Sequence, residues 1–226
     1  VSAVQSQCTG GLTPHRSPGE FIVNRDSQWE VFTMSRPSND LRYDWFWLLT
    51  WTTYGSWLPG DDRGSIGILH DQDHAKIEYN RFGEPAADPS DALAKYARDQ
   101  MKGNEQRLVL DQARVLLTQF HCTSAFRKWR LLAVSIMGNH IHLVVNVHSD
   151  PEPDSILRDF KSYGSGALNV QWGEPKSGTW WTKSGSKRKL GTDNSVISAI
   201  KYCCDQKYPL LIWTKEEGMF FPKSNP

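Results

Sequence analysis

The chain is short of cysteine, of long apolar runs and of any excess of one charge. Its four cysteines, Cys8, Cys122, Cys203 and Cys204, show no CxxC spacing, which removes the common cysteine-built zinc sites and the redox dithiol motif. Cys203 and Cys204 are adjacent on a predicted helix, where side chains diverge by about 100°, so they are read as small buried residues. No apolar stretch approaches the ~20 residues that span a bilayer, and the N-terminus has no signal-peptide core, so the expectation is a cytoplasmic protein with no membrane partner. Lys and Arg number 26 against 25 Asp and Glu, a net charge of +1, so bulk electrostatics name no polyanionic partner. Internal repeats, low-complexity tracts and an HExxH zinc helix are absent as well.

What is present fits one domain. A chain of 226 residues can bury a core without disulfide or metal staples. Residues 1–40, rich in Ser, Pro, Gln and Asn, are read as a loosely ordered leader, and 41–226 as a single domain. Trp45, Trp47, Leu49 and Trp51 alternate with Phe46, Leu48, Thr50 and Thr52, which predicts a strand apolar on both faces and central in a sheet. The polar segment 54–104 is too long for a connection and is expected to be an insertion at one end of that sheet, with a helix over 91–101. A helix over 105–126, strands over 130–137 and 141–148 joined at Gly138-Asn139, and a helix over 154–172 follow. A short strand at 179–183 and a last helix, capped by Asp193 or Asn194 and running to Lys207 before Pro209, complete the pattern. This β-α-β-β-α-β order predicts an α+β, ferredoxin-like fold: a central antiparallel sheet, helices on one face, and an added C-terminal helix.

The most informative stretch is His140-Ile141-His142, set in an otherwise apolar strand. Side chains at i and i+2 share a strand face, so the two imidazoles project together while Ile141, Leu143 and Val145 face a core. Two histidines on rigid backbone make a half-site for a divalent metal, although zinc enzymes and ordinary half-exposed strands carry the same spacing. On the last helix Tyr202 and Gln206 are four residues apart and share a face, with Ile200 and Cys203 or Cys204 toward the packing side. Two imidazoles and an amide oxygen can hold Mg²⁺ or Mn²⁺ with positions open to phosphate oxygens and water. A tyrosine phenol, with an ordinary pKa of about 10, is a weak nucleophile until ionised. As a phenolate it attacks phosphorus in line and leaves a covalent phosphotyrosine that conserves the phosphodiester's energy.

Charge is uneven despite the neutral total. Residues 158–189 hold Arg158, Lys161, Lys176, Lys183, Lys187, Arg188 and Lys189 against Asp159 and Glu174 alone, a local basic surface able to bind phosphates or simply a solvated face. Ten tryptophans are many for this length; most are expected in the core, with some available to stack on unpaired bases.

These residues resemble a known family. His140-Ile141-His142 is the HUH motif (His, hydrophobic, His), and Tyr202 with Gln206 resembles the tyrosine and third-ligand helix of the single-tyrosine HUH transposases. The segment from Leu49 to Gly64, which contains Arg63, and the segment Trp180–Leu190 look like the REP-associated tyrosine transposase branch of the IS200-like transposases. Cys203-Cys204-Asp205 stands where REP-associated members commonly carry Asn-Pro after the tyrosine. The resemblance covers about residues 44–213 and implies a ferredoxin-like HUH domain that cleaves and joins single-stranded DNA beside a palindromic hairpin. It also implies a nucleoid-associated location and a monomer or homodimer. Tyr202 would be the nucleophile, forming a 5′-phosphotyrosine and freeing a 3′-hydroxyl, and His140, His142 and Gln206 the Mg²⁺ or Mn²⁺ ligands. Asn139 and Lys161 could position phosphate, and Arg63, Lys183, Lys187, Arg188 and Lys189 are candidate DNA contacts. Two other functions are compatible with parts of the pattern: a non-catalytic regulator that binds hairpin or single-stranded DNA on the same fold, and a zinc hydrolase that recruits His121 or His148 as a third ligand.

Overall fold

The computed structural model describes residues 45–62, 89–148 and 151–220, with the backbone alone of 68–70 and 76–78. The described strands are β1 (Trp45–Thr52), β2 (Ile68–His70), β3 (Lys76–Glu78), β4 (Arg130–Ile136), β5 (His140–Val147), β6 (Ser186–Leu190), β7 (Leu211–Thr214) and β8 (Gly218–Phe220). The helices are α1 (Asp91–Asp99), α2 (Leu110–Arg127), α3 (Pro153–Trp172) and α4 (Asp193–Cys204). β2 and β3 form a separate hairpin, and the others make one antiparallel sheet in the order β6-β1-β5-β4-β7-β8. α2 carries the chain from β1 past β5 to β4, and α3 carries it from β5 past β1 to β6. That is the ferredoxin-like, α+β path expected from the sequence.

The pleat divides the sheet's side chains between two cores. Trp47, Leu49 and Trp51 of β1 and Ile141, Leu143, Val145 and Val147 of β5 enter the larger core with α2 and α3. There Phe120 makes edge-on contacts with Trp51 and Phe160 at 5.7 and 5.6 Å between centroids. The opposite face carries Val144, Leu132 and Ala133, covered by Val196, Ala199 and Cys203 of α4. The two helices of the βαββαβ unit therefore share one face, as expected, and the added C-terminal helix α4 covers the other.

Several boundaries move for identifiable reasons. The strand expected at 179–183 lies instead at Ser186–Leu190. Trp180 and Trp181 turn into the larger core, where their indole nitrogens donate to Asn169 Oδ1 (2.7 Å) and Lys161 O (2.9 Å). One bridge, Thr53 to Trp181, is all the pairing that survives there. The strand that does form is basic because it is an edge, where charge blunts unwanted pairing. Gly185 admits it: a Cβ there would stand 2.7 Å from Thr50 O. α4 is capped by Thr192, whose Oγ1 accepts from Ser195 N while Thr192 N donates to Ser195 Oγ, so the cap precedes the expected Asp193 or Asn194. The helix ends at Cys204, which leaves Gln206 just beyond it. β7 and β8 extend the sheet past β4 and were not anticipated, because strands of four and three residues carry too little periodicity to read. The expected leader, residues 1–40, lies outside the described residues.

Candidate functional site

The site is built on the α4 face at one end of the two central strands. In the β1–β5 register Thr50 pairs with His142 and Thr52 with His140, which puts two threonines and two histidines on the same face. The imidazole centroids lie 4.9 Å apart with the rings nearly perpendicular. His142 is 4% exposed, and its Nδ1 lies 2.7 Å from Thr50 Oγ1. His140 Nδ1 lies 2.7 Å from Asn139 Oδ1. An amide oxygen only accepts, so in this contact the His140 Nδ1–H is the donor.

The turn before the histidine strand is braced from β1. Asn139 O accepts from Thr53 N (2.9 Å), Thr53 Oγ1 (3.1 Å) and Ser56 Oγ (3.0 Å). Three donors on one carbonyl fix the backbone from which His140 projects. Thr53 and Ser56 belong to the Leu49–Gly64 segment, so that segment has a physical role: it anchors the histidine strand. Sequence reading missed Thr50, Thr53 and Ser56. The available signal was the end of β1, where its second face changes from Phe46 and Leu48 to Thr50 and Thr52.

α4 brings the tyrosine to the histidines within one chain. The Tyr202 ring meets the His142 ring edge-on at 4.8 Å, and Tyr202 is 48% exposed. Gln206 Nε2 donates back to Tyr202 O at 2.9 Å, which engages the amide nitrogen and leaves the oxygen as the atom able to coordinate a cation. Burial, and next the neighbouring His140, pull the His142 pKa down to about 3, while the nearby Gln206 side chain pushes it up. His142 is therefore neutral at physiological pH, the form that ligates a metal.

The donor set fits a divalent ion. His142 Nε2 is a buried nitrogen with no hydrogen-bond partner, and such groups are rare unless something else satisfies them. A neutral His142 with its Nδ1 engaged by Thr50, and a His140 with its Nδ1 engaged by Asn139, beside an amide oxygen, match the way outer hydrogen bonds orient metal-ligating imidazoles. No group of three His, Cys, Asp or Glu able to hold a metal occurs among the described residues. His121 packs its ring on Trp213 instead, and His148 follows the far end of β5. Burial pushes the Cys203 thiol well above its ordinary value, and burial with nearby Glu217 pushes Cys204 to about 11, so neither offers a thiolate.

The basic run does not form one surface. Strand alternation sends Lys187 and Lys189 to the α3 side, where Lys187 pairs with Asp154 and Lys189 Nζ sits 3.2 Å above the Trp45 ring. Arg188, opposite Leu48, is on the histidine side. Lys161 donates to the carbonyls of Thr182 (2.6 Å), Lys183 (3.4 Å) and Ser184 (3.1 Å), and so holds that loop. The Asn139 side chain orients His140. Arg63 lies outside the described residues.

No curated protein matches the chain. A solved structure of a REP-associated tyrosine transposase bound to a REP hairpin is 10% identical, with a TM-score of 0.33. The match covers 71% of this chain and 64% of that one, so the chain spans just under two thirds of its length. A Deinococcus radiodurans R1 protein described as a transposase is 11% identical with a TM-score of 0.36, covering 76% of this chain and 98% of that one. Residues 100–206 match the family described as Transposase IS200 like. The histidine strand, the tyrosine helix and Gln206 all fall inside that span.

Proposed function

We propose that this chain is a transposase that cleaves and rejoins single-stranded DNA beside a hairpin, with Tyr202 as nucleophile and Mg²⁺ or Mn²⁺ held by His140, His142 and Gln206. The observation that carries this reading is the Tyr202 ring against His142, itself beside His140, in one chain. A bound metal would polarise the scissile phosphate and offset charge developing on it. The Tyr202 phenolate attacks phosphorus in line, the bond to the 3′-oxygen breaks, and that oxygen leaves with the electron pair and takes up a proton. The 5′-phosphate stays on Tyr202, and attack by a 3′-hydroxyl reverses the step and restores a phosphodiester. The Tyr202 ring against His142 of its own chain supports a nucleophile that acts in cis.

Incubation of the chain with Mg²⁺ or Mn²⁺ and end-labelled hairpin DNA should give an adduct that survives SDS. Tyr202→Phe should abolish it, and His142→Ala should reduce it below detection. An adduct that persists in Tyr202→Phe refutes the assigned nucleophile. Salt-sensitive hairpin binding with no adduct under any metal would instead make the chain a DNA-binding regulator.

A further inference from the structure

The insertion between β1 and α2 ends in α1, nine residues long, none of whose side chains is fully buried. A helix this short is not stable alone in water. It is held here by its ends. Ser90 N donates to Gly60 O (3.0 Å), and Gly60, at φ +84°, lets the first turn approach so closely that a Cβ would stand 2.4 Å from Ser90 O and 2.6 Å from Ala94 N. Beyond the C-terminus Lys102 N donates to the Tyr54 hydroxyl (2.9 Å) and Gln106 N to Tyr54 O (2.8 Å). Between these anchors the helix stands off the 54–59 turn, and a cleft of about 990 Å³ opens beside it. That volume is at the upper end of the range of about 300–1,000 Å³ typical of ligand pockets.

The lining chemistry is selective. Tyr54, Trp57 and Tyr96 supply aromatic surface, Tyr96 being 63% exposed, and Lys161 and Lys183 supply cations. Among the described residues no carboxylate lines this cleft, whereas the neighbouring one takes in Asp61, Asp62, Asp91 and Glu105. The cleft also adjoins the candidate site. Thr182 lines it, the Thr182 and Thr52 hydroxyls are 3.0 Å apart, and Thr52 pairs with His140.

We propose that this cleft binds unpaired nucleotides flanking the scissile phosphate, with bases stacked on Tyr96 and Trp57 and Lys183 directed to the backbone. The inference rests on the reading of the histidine–tyrosine site as a single-strand nuclease, and it assigns the insertion a role in substrate binding. Aromatic faces accept any base and lysines hold phosphates, and a carboxylate-free lining next to the phosphate site suits a polyanion over an acidic or neutral peptide.

The test uses fluorescence anisotropy on the full chain carrying Tyr202→Phe, without metal, so that binding is read apart from cleavage. The probes are a short oligothymidylate and a blunt duplex of matched length. Tyr96→Ala should weaken oligothymidylate binding about 5- to 100-fold, the range expected from loss of one base–aromatic stack. Tyr96→Phe, which keeps the ring, should bind as its parent does, and duplex binding should be unchanged in both. Unaltered oligothymidylate affinity in Tyr96→Ala overturns the proposal, as does an equal loss on both probes. If the Tyr96 effect holds while the unsubstituted chain forms no adduct on hairpin DNA, the cleft stands and the nuclease reading falls.

Discussion

Under α2 and α3 the sheet is dry: Trp51, Leu49, Ile141, Leu143 and Val145 meet Phe120 and Phe160 with almost no exposure. Under α4 the same two strands bury a smaller cluster around Val144 and Ala199, then end in a polar row of Thr50, Thr52, His140 and His142. Strand alternation makes the two faces independent in sequence, so one can be filled for stability while the other carries chemistry. The dry face also keeps the histidine backbone rigid. A change of residue type on either face therefore has a distinct, measurable consequence.

Breaking the dry face should have the largest effect. Phe120→Ala removes a ring packed between Trp51 and Phe160, with an expected loss of about 3–5 kcal/mol, read as a lower denaturant midpoint. A loss under about 1 kcal/mol would mean that the core collapses around the gap and is not a rigid support.

The polar face should respond in metal affinity, with stability secondary. If the ion binds His142 Nε2, the Nδ1 proton is donated to Thr50 Oγ1, and removing that acceptor frees the ring to change tautomer. Thr50→Val should weaken Mn²⁺ binding about 10- to 100-fold in a calorimetric titration, while Thr50→Ser should not. Equal affinities in all three proteins would show that Thr50 only fills space.

Lys161, where the dry face meets the insertion cleft, should give the smallest signal. Burial, and secondarily Lys187, lower its pKa from 10.5 to about 8. Between these values the unfolded chain binds more protons than the folded one, so stability rises with pH across that window; the penalty on the charged form is full below it. Unfolding free energy measured from pH 8 to 10.5 should climb less steeply in Lys161→Met than in the unsubstituted chain. Parallel curves would mean that the three carbonyls fully compensate the burial.

The legible parts of the fold were those with long periodic runs. β1 and β5 announce themselves as sustained apolar runs, and α2 and α3 by apolar residues at helical spacing. β6 does not, since an edge strand of Ser-Lys-Arg-Lys-Leu has no apolar alternation and is recruited by pairing with β1. In the site, the His, Tyr and Gln residue types could be picked out from spacing and resemblance. Their supports could not, because Thr50, Thr53 and Ser56 are ordinary residues until a register 80 or more positions long places them on His142 and Asn139. The basic run divides for a related reason: its charges are adjacent in sequence, and strand alternation alone sends Lys187 and Lys189 away from Arg188.

By itself the sequence determined that His140 and His142 share a face, that Ile141 and Leu143 take the other, and that a tyrosine and a glutamine recur at helical spacing. Those are local properties of backbone geometry. Only the tertiary structure decided that Tyr202 meets His142, that Gln206 reaches back from beyond its helix, and that the insertion leaves an aromatic cleft beside the pair. Each of these depends on which strands are neighbours, and neighbour choice is set by packing of the whole sheet, not by any one segment.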